Sequence, residues 1–133
     1  MASAHEGALL LHETAKAQAV AMACAAFRHG PTEMVDEGFC GVVFAPNGRT
    51  QELNRMLAVD LQRFGGRVRV IGPQSVAGLD CIVTPDLPDT LAPLFEVIPL
   101  QCAALRLAEM RKVPIGEFRY TPMVTTDETS FTI

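Results

Sequence analysis

Two carboxylates and two basic side chains in the first thirty residues are the groups best suited to chemistry. Glu6 and Glu13 lie in an alanine- and leucine-rich segment, and Arg28 and His29 stand immediately before Gly30-Pro31. In a helix, residues seven positions apart lie about two turns apart on the same face. A glutamate whose pKa is raised by apolar surroundings can take up and return a proton, and an imidazole titrates near neutral pH.

Each of these residues also has a structural interpretation. Glu13 could be a buried carboxylate that holds a neighbouring loop by hydrogen bonds. His29 could be an imidazole at a helix C-terminus, where the helix dipole stabilises its cation by about 0.3–1 kcal/mol. Arg28 is a solvated cation or, at the same helix exit, a ligand for a phosphate. His5 and His12 are expected to be ordinary surface residues.

The elements that would position these residues can be predicted from hydrophobic patterning. The segment 6–27 predicts one helix, largely buried because it is apolar on most of its circumference, and it ends at Gly30-Pro31. An amphipathic helix is predicted between Arg49 and the glycines at 65–66. The segment 89–112 predicts a helix with a break near Pro99. The predicted strands are 41–48, 67–72 and 80–85, and 113–133 is predicted to be an extended tail.

This order of elements indicates an α/β domain with a parallel sheet covered on both faces. A chain of 133 residues is one domain by length. The five residues before Glu6 are too short and too polar to form the strand that normally opens such a domain. We therefore expect the first strand to be missing and to be supplied by another subunit or by an upstream segment.

Composition excludes several classes of protein. The net charge is −4 and no cluster of Lys or Arg is present, which argues against a nucleic-acid partner. No run of about 18 apolar residues exists, so we predict no membrane span, and without a signal peptide we predict a cytoplasmic protein. The four cysteines form no C-x-x-C pair and are expected to be small core residues in a reducing compartment. Neither a metal site nor a cofactor is predicted.

Several stretches together resemble a known family. The segments "EGALLLHETAKAQAVAMACAAFRHGPTEMVDEG", "VVFAPN", "RFGGRVRVIG" and "APLFEVIPLQCAALRLAEMRKVPIGEFRYTPMVTTDE" are similar, in order and spacing, to the second sugar-isomerase (SIS) domain of the glutamine–fructose-6-phosphate transaminase family. The resemblance implies that residues 1–133 form a three-layer α/β/α SIS domain, with its first strand upstream of Met1. It also implies the C-terminal half of a protein with two SIS domains.

The resemblance assigns roles to individual residues. Glu13 matches the carboxylate that moves a proton between C1 and C2 of the open-chain sugar phosphate. His29 matches a histidine that helps to open the ring and that the family delivers across a dimer interface. Glu6 matches the first acidic residue of the helix motif. Leu10 and Pro122 stand at two positions where the family has active-site lysines.

These roles imply a phosphosugar-binding domain that transfers a proton in aldose–ketose isomerisation of a hexose 6-phosphate or an amino sugar phosphate. Arg28 is included with Glu6 among the candidate substrate ligands. The expected partners are a sugar phosphate and either a second copy of the chain or the missing N-terminal SIS domain. Loss of both lysines favours an alternative, a non-catalytic phosphosugar sensor. A second alternative is a dimerisation module, because so apolar a helix needs a large partner surface.

Overall fold

The protein is described by a computed structural model that covers residues 1–120, with 121–133 outside the described part. Four helices and three strands follow one another along the chain, with a 3₁₀ turn at Pro31–Met34. In order they are α1 (Ala2–Ala15), α2 (Cys24–Phe27), β1 (Cys40–Phe44), α3 (Gln51–Arg63), β2 (Arg67–Gly72), β3 (Asp80–Val83) and α4 (Pro93–Met110). Most of the predicted tail, with Pro122, lies outside the described residues, and 113–120 contains only turns and bends.

The three strands form the predicted parallel sheet. Their order is β1-β2-β3, with Val43 opposite Val70 and Val70 opposite Cys81. Both neighbouring pairs are parallel, so each connection must cross over to return the chain to the same end of the sheet. Helix α3 makes the first crossover, which confirms the α/β arrangement.

The main hydrophobic core lies between one face of the sheet and α3. Leu57, Ala58 and Leu61 lie on one side of α3 and are buried. They belong to the same core cluster as Val43 of β1 and the alternate residues Val68 and Val70 of β2. The sequence predicts an amphipathic helix here from one apolar stripe, of which only Leu57 and Leu61 are buried: Leu53, Met56, Leu57, Leu61 and Phe64. Apolar residues at the edges of the helix, such as Leu53, are instead exposed.

The opposite face of the sheet is covered only in part. Ile71 lies on this face and is buried, whereas Val42 is 43% exposed. Arg69 and Asp80, neighbours across β2 and β3, form an exposed ion pair. Burial on this face is therefore greater at the carboxyl ends of the strands than at their amino ends.

A close backbone approach at the carboxyl ends of β1 and β2 requires a glycine. The Ala45 amide donates a hydrogen bond of 2.8 Å to the Ile71 carbonyl. A Cβ on Gly72 would lie 2.5 Å from the carbonyl oxygen of Ala45. Because that neighbour is backbone and cannot rotate away, only glycine fits here.

Helices α1 and α4 pack on one another as the second helical layer. The contact is close because Gly7 has no side chain, and a Cβ there would overlap the Leu100 side chain. At the start of α1 the buried Ser3 hydroxyl donates a hydrogen bond to the buried Glu96 carboxylate of α4. Two chain segments more than ninety residues apart are thereby joined.

The prediction of one helix over 6–27 is wrong. Helix α1 ends at Ala15, where Lys16 adopts the left-handed conformation with φ of 50°. The Ala19 amide lies 3.1 Å from Nε2 of His12, so the imidazole binds the chain as it leaves the helix. The next helical residues are the single turn at Cys24–Phe27. No glycine or proline marks this end of α1 in the sequence.

Two further expectations about the helices are also wrong. Helix α1 is not largely buried, because it packs on α4 through one side and only Ser3, Gly7 and Ala15 are buried. Helix α4 does not break near Pro99 but runs continuously from Pro93 to Met110. A proline inside a helix removes one hydrogen bond without necessarily ending the helix.

The cysteines differ from expectation in their burial. All four are free, and Cys24 and Cys81 are partly buried, but Cys40 and Cys102 are exposed. Burial raises the pKa of the Cys24 thiol above its ordinary value. The description of the cysteines as core residues therefore fits two of the four.

Candidate functional site

Glu6 and Glu13 lie on the side of α1 that faces away from α4. Both side chains are exposed, two turns apart, and Leu10 lies half-buried between them. The helix surface turned toward α4 carries Ser3 and Gly7 instead. The expected apolar surroundings of Glu13 are therefore not provided by residues 1–120, because α4 covers a different side of α1.

Arg28 lies directly after α2, and its side chain forms an ion pair with α3. Its Nη1 donates to Oδ2 of Asp60 at 2.9 Å, and both side chains are about one-third exposed. Arg63 approaches the other oxygen of the same carboxylate at 3.5 Å. The Arg28 guanidinium is therefore held by an ion pair and keeps donors that are open to solvent.

His29 lies on the exposed turn that follows Arg28. Its backbone amide donates to the Ala26 carbonyl at 3.1 Å, and Gly30 then takes φ of 134°, which reverses the chain into the turn at Pro31. The imidazole is exposed. Because α2 is a single turn, the turn geometry fixes His29 more than any helix dipole does.

The four candidate residues fall into two groups. Glu6 and Glu13 belong to α1, which packs on α4, whereas Arg28 and His29 follow α2, which packs on α3 and the 3₁₀ turn. Among residues 1–120 no hydrogen bond or ion pair joins one group to the other. The carboxylates and the basic pair are thus exposed on elements that pack against different neighbours.

A shallow hollow of about 180 Å³ lies beside α3, next to the ion pair of Arg28. It is lined by Glu52, Arg55, Met56, Val59, Asp60 and Val76. Arg55 is held there by the Ser75 carbonyl and the Gln74 amide oxygen, at 3.3 and 3.2 Å. The hollow therefore borders Arg28 through Asp60, but its lining includes none of Glu6, Glu13 and His29.

The sequence reasoning missed Glu96, the one deeply buried carboxylate among residues 1–120. It is 2% exposed and accepts the Ser3 hydrogen bond through Oε2, and Oε1 has no partner within the described part of the chain. Burial raises the pKa of Glu96, although the Ser3 hydrogen bond and the Met1 amino group act in the opposite direction. The signal was its four-residue spacing from Leu100, which continues to Ala104 on the side of α4 that faces α1.

The raised pKa of Glu96 predicts that ionisation of this group lowers stability as pH rises. The folded state holds the proton more tightly than the unfolded chain, so the contribution of this group to the free energy of unfolding decreases between the unfolded and the folded pKa. The maximum slope is about 1.4 kcal/mol per pH unit. Glu96→Gln removes this term, so the variant gains stability relative to wild type as the pH rises above about 4, measured by urea denaturation.

The matched control is Glu33→Gln, which changes an exposed carboxylate. Its stability difference from wild type is expected to stay constant over the same pH range. A pH-independent difference for Glu96→Gln would contradict the prediction.

Two kinds of feature are absent from residues 1–120. No group of three or more His, Cys, Asp or Glu side chains is placed to hold a metal ion. Over the same residues, no helix combines the length and the apolarity that crossing a bilayer requires.

Comparison with known proteins identifies the relatives of this fold. The SIS domain family profile matches residues 1–111. The glutamine–fructose-6-phosphate aminotransferase (isomerizing) of Thermus thermophilus is 33% identical over 111 residues, covering 80% of this chain and 18% of that protein. The enzyme of the same name from Bartonella quintana is 34% identical over 120 residues, covering 86% and 20%. The chain thus spans about a fifth of the length of these relatives.

A solved structure has the same fold. The C-terminal domain of glucosamine-fructose-6-phosphate aminotransferase from Francisella tularensis superposes with a TM-score of 0.74 at 21% identity. The match covers 84% of this chain and 33% of that chain. The resemblance inferred from the sequence segments, and the SIS-type α/β fold it implied, are confirmed.

Proposed function

Because the chain belongs to the SIS domain family, we propose that it is a cytoplasmic phosphosugar-binding domain. It acts as the C-terminal SIS half of a sugar-phosphate isomerase or transaminase-like protein, over residues 1–133. The observation that carries the proposal is the family match over 1–111, which includes all four candidate residues. The relatives at 33–34% identity have names that include fructose 6-phosphate.

The reaction we propose is aldose–ketose isomerisation of a hexose 6-phosphate. Glu13 takes a proton from one carbon of the open-chain sugar and returns it to the neighbouring carbon, and His29 helps to open the ring. Both side chains are accessible, as such roles require. Arg28 offers an exposed guanidinium to the phosphate, and Glu6 offers a carboxylate to the sugar hydroxyls.

The separation of the two groups supports a composite site. Glu13 and His29 lie on elements that pack against different parts of the fold, and within residues 1–120 no hydrogen bond or ion pair joins them. A second copy, or the N-terminal SIS domain of a longer protein, would place a histidine against the carboxylates and exclude water from Glu13. Exclusion of water is what raises a carboxyl pKa toward the range of a useful base.

A specific observation favours the alternative of a sensor that binds without turnover. Leu10 lies half-buried between the two carboxylates of α1, at a position where the family resemblance predicts a lysine. An aliphatic side chain cannot supply the charge that would stabilise a developing oxyanion. Both the isomerase and the sensor therefore require binding of the sugar phosphate, and only the isomerase also requires turnover.

Binding is tested by thermal denaturation with fructose 6-phosphate and glucose 6-phosphate. A ligand that binds only the folded state at about 100 times its Kd adds about 2.7 kcal/mol, which raises Tm by several degrees. Fructose and inorganic phosphate, each alone, are expected to give much smaller shifts. No shift with either hexose 6-phosphate would contradict the proposal.

The contribution of Arg28 is measured by the ligand-induced shift of Arg28→Gln, which is expected to fall well below that of wild type. Asp60→Asn is the matched control, because it breaks the same ion pair but keeps the guanidinium. Arg67→Gln removes an exposed cation elsewhere and is expected to leave the shift unchanged. An equal shift for Arg28→Gln and wild type would remove Arg28 from the site.

A further inference from the structure

Lys16, the residue at the end of α1, contacts a segment that lies more than a hundred residues further along the chain. Its ammonium group donates hydrogen bonds to the backbone carbonyls of Glu13 and Glu117, the second at 2.9 Å. It also lies 5.6 Å from the centre of the Phe118 ring. Glu13 belongs to the last turn of α1, whereas the other two residues belong to 113–120, which follows α4. We call residues 113–120 the C-terminal strap.

Each of these contacts is one that a cation is suited to make. The last carbonyls of a helix have no partner within the helix and lie at the negative end of its dipole, so a lysine there is favourable. The face of an aromatic ring attracts a cation within about 6 Å. Among residues 1–120, the ammonium of Lys16 makes the only hydrogen bond between the end of α1 and the strap.

The backbone conformation at Lys16 is one in which glycine is the usual residue. Its φ of 50° is left-handed, as is common at the end of a helix, but a side chain is unfavourable there. The lysine makes a contact with the strap that glycine cannot make. Lys112, at the end of α4, is also left-handed, with φ of 55°. Within the described part of the chain its side chain has no hydrogen bond, ion pair or cation–π contact.

We propose that Lys16 is a positioning residue, which tethers the C-terminal strap to the last turn of α1 and keeps that turn ordered. The turn is closed by the backbone amides of Lys16 and Ala17, which both donate to the Leu11 carbonyl. Glu13 lies within this turn, so the tether fixes the backbone from which its carboxylate projects. The consequence for Glu13 chemistry rests on the proposed function, whereas the tether itself does not.

The tether is tested by limited proteolysis with glutamyl endopeptidase, which cleaves after glutamate. The rate of cleavage follows the fraction of molecules in which the strap is released. The bond after Glu117 contains the carbonyl that Lys16 binds, so its initial cleavage rate in Lys16→Met is expected to rise by about 10-fold or more. Cleavage after Glu37, in another exposed turn, is expected to stay unchanged and is the internal reference.

Three matched variants distinguish a tether from a helix cap. Lys112→Met alters the other left-handed lysine and is expected to leave cleavage after Glu117 unchanged. Lys16→Gly keeps a good capping residue but removes the ammonium, so it is expected to release the strap as Lys16→Met does. Lys16→Arg keeps the cation and is expected to be cleaved more slowly than Lys16→Met. Wild-type rates in Lys16→Met or Lys16→Gly, an equal rise in Lys112→Met, or no difference between Lys16→Arg and Lys16→Met would overturn the proposal.

The order of the last turn of α1 is measured by NMR hydrogen exchange at the Ala17 amide. Its exchange is expected to be about 10-fold faster in Lys16→Met and unchanged in Lys112→Met, because only the first substitution removes the contact with the strap. Wild-type exchange of Ala17 in Lys16→Met would show that the tether does not order the turn and would overturn the proposal.

The effect on Glu13 is measured by the rate of solvent deuterium incorporation into glucose 6-phosphate. Lys16→Met is expected to lower kcat by about 10-fold at nearly constant KM, because the carboxylate is less well positioned while the ligand contacts remain. Lys16→Arg is expected to restore most of kcat, and an unchanged kcat in Lys16→Met would overturn the positioning role. A wild type without exchange contradicts the proposed reaction instead, and the cleavage rates and the Ala17 amide then still decide whether Lys16 is a tether.

Discussion

Under the proposed function, replacing Glu13 by glutamine is expected to lower the rate of hexose 6-phosphate isomerisation by about 10²- to 10⁴-fold, the usual contribution of a positioned general base. The amide has nearly the shape of the carboxylate but cannot accept the proton that moves between C1 and C2. The measurement is incorporation of solvent deuterium at C1 of fructose 6-phosphate and at C2 of glucose 6-phosphate, followed by NMR. This readout reports proton transfer directly and does not require release of product.

Two comparisons make the Glu13 experiment specific. Glu33→Gln changes another exposed carboxylate, near His29, and is expected to keep wild-type exchange. Glu13→Gln itself is expected to keep most of the ligand-induced thermal shift, which separates a catalytic loss from a binding loss. If the wild type binds the sugar phosphate but exchanges no deuterium, the catalytic part of the proposal is wrong and the sensor alternative holds.

Leu57→Ala is expected to lower the free energy of unfolding by about 2–5 kcal/mol. Leu57 is 2% exposed and lies at the centre of the core between α3 and the sheet. Removing its branched end loses buried apolar surface and leaves a cavity that the rigid strands cannot fill. Small domains have about 5–15 kcal/mol in total, so the loss is a large part of the whole. Urea denaturation with an unchanged m-value measures it.

Leu53→Ala is the matched control on the same helix, one turn earlier. Its side chain is 59% exposed, and the substitution is expected to change stability by no more than about 0.5 kcal/mol. Equal losses of stability for the two substitutions would show that the side of α3 containing Leu57 is not the side that faces the core.

The parts of the fold that were predicted from sequence are those in which local pattern and tertiary packing agree. Strand β2 was predicted with its observed limits, because glycines precede it and Gly72 ends it. Helix α3 followed from the spacing of Leu57 and Leu61. The end of α1 was not predictable, because the imidazole of His12 and a left-handed Lys16 terminate it within a run of good helix formers.

The candidate site shows a different limit of sequence reasoning. The residues Glu6, Glu13, Arg28 and His29 could be selected from the sequence, but their burial could not, because burial depends on which side of α1 meets α4. The same uncertainty hid Glu96, which a purely local reading places in a helix without showing that its side chain is covered. Periodicity predicts which residues share a side, and only packing determines which side is inside.

The hydrogen bond between Ser3 and Glu96 also has a consequence for the order of folding. Strands β1 and β2 and helix α3 are close in sequence, whereas α1 and α4 can meet only after the chain between them has closed a long loop. Loop closure costs more entropy as the separation grows, so the pairing of the terminal helices is expected after the sheet has formed. Spontaneous opening of the native protein is then expected to begin with the release of α1.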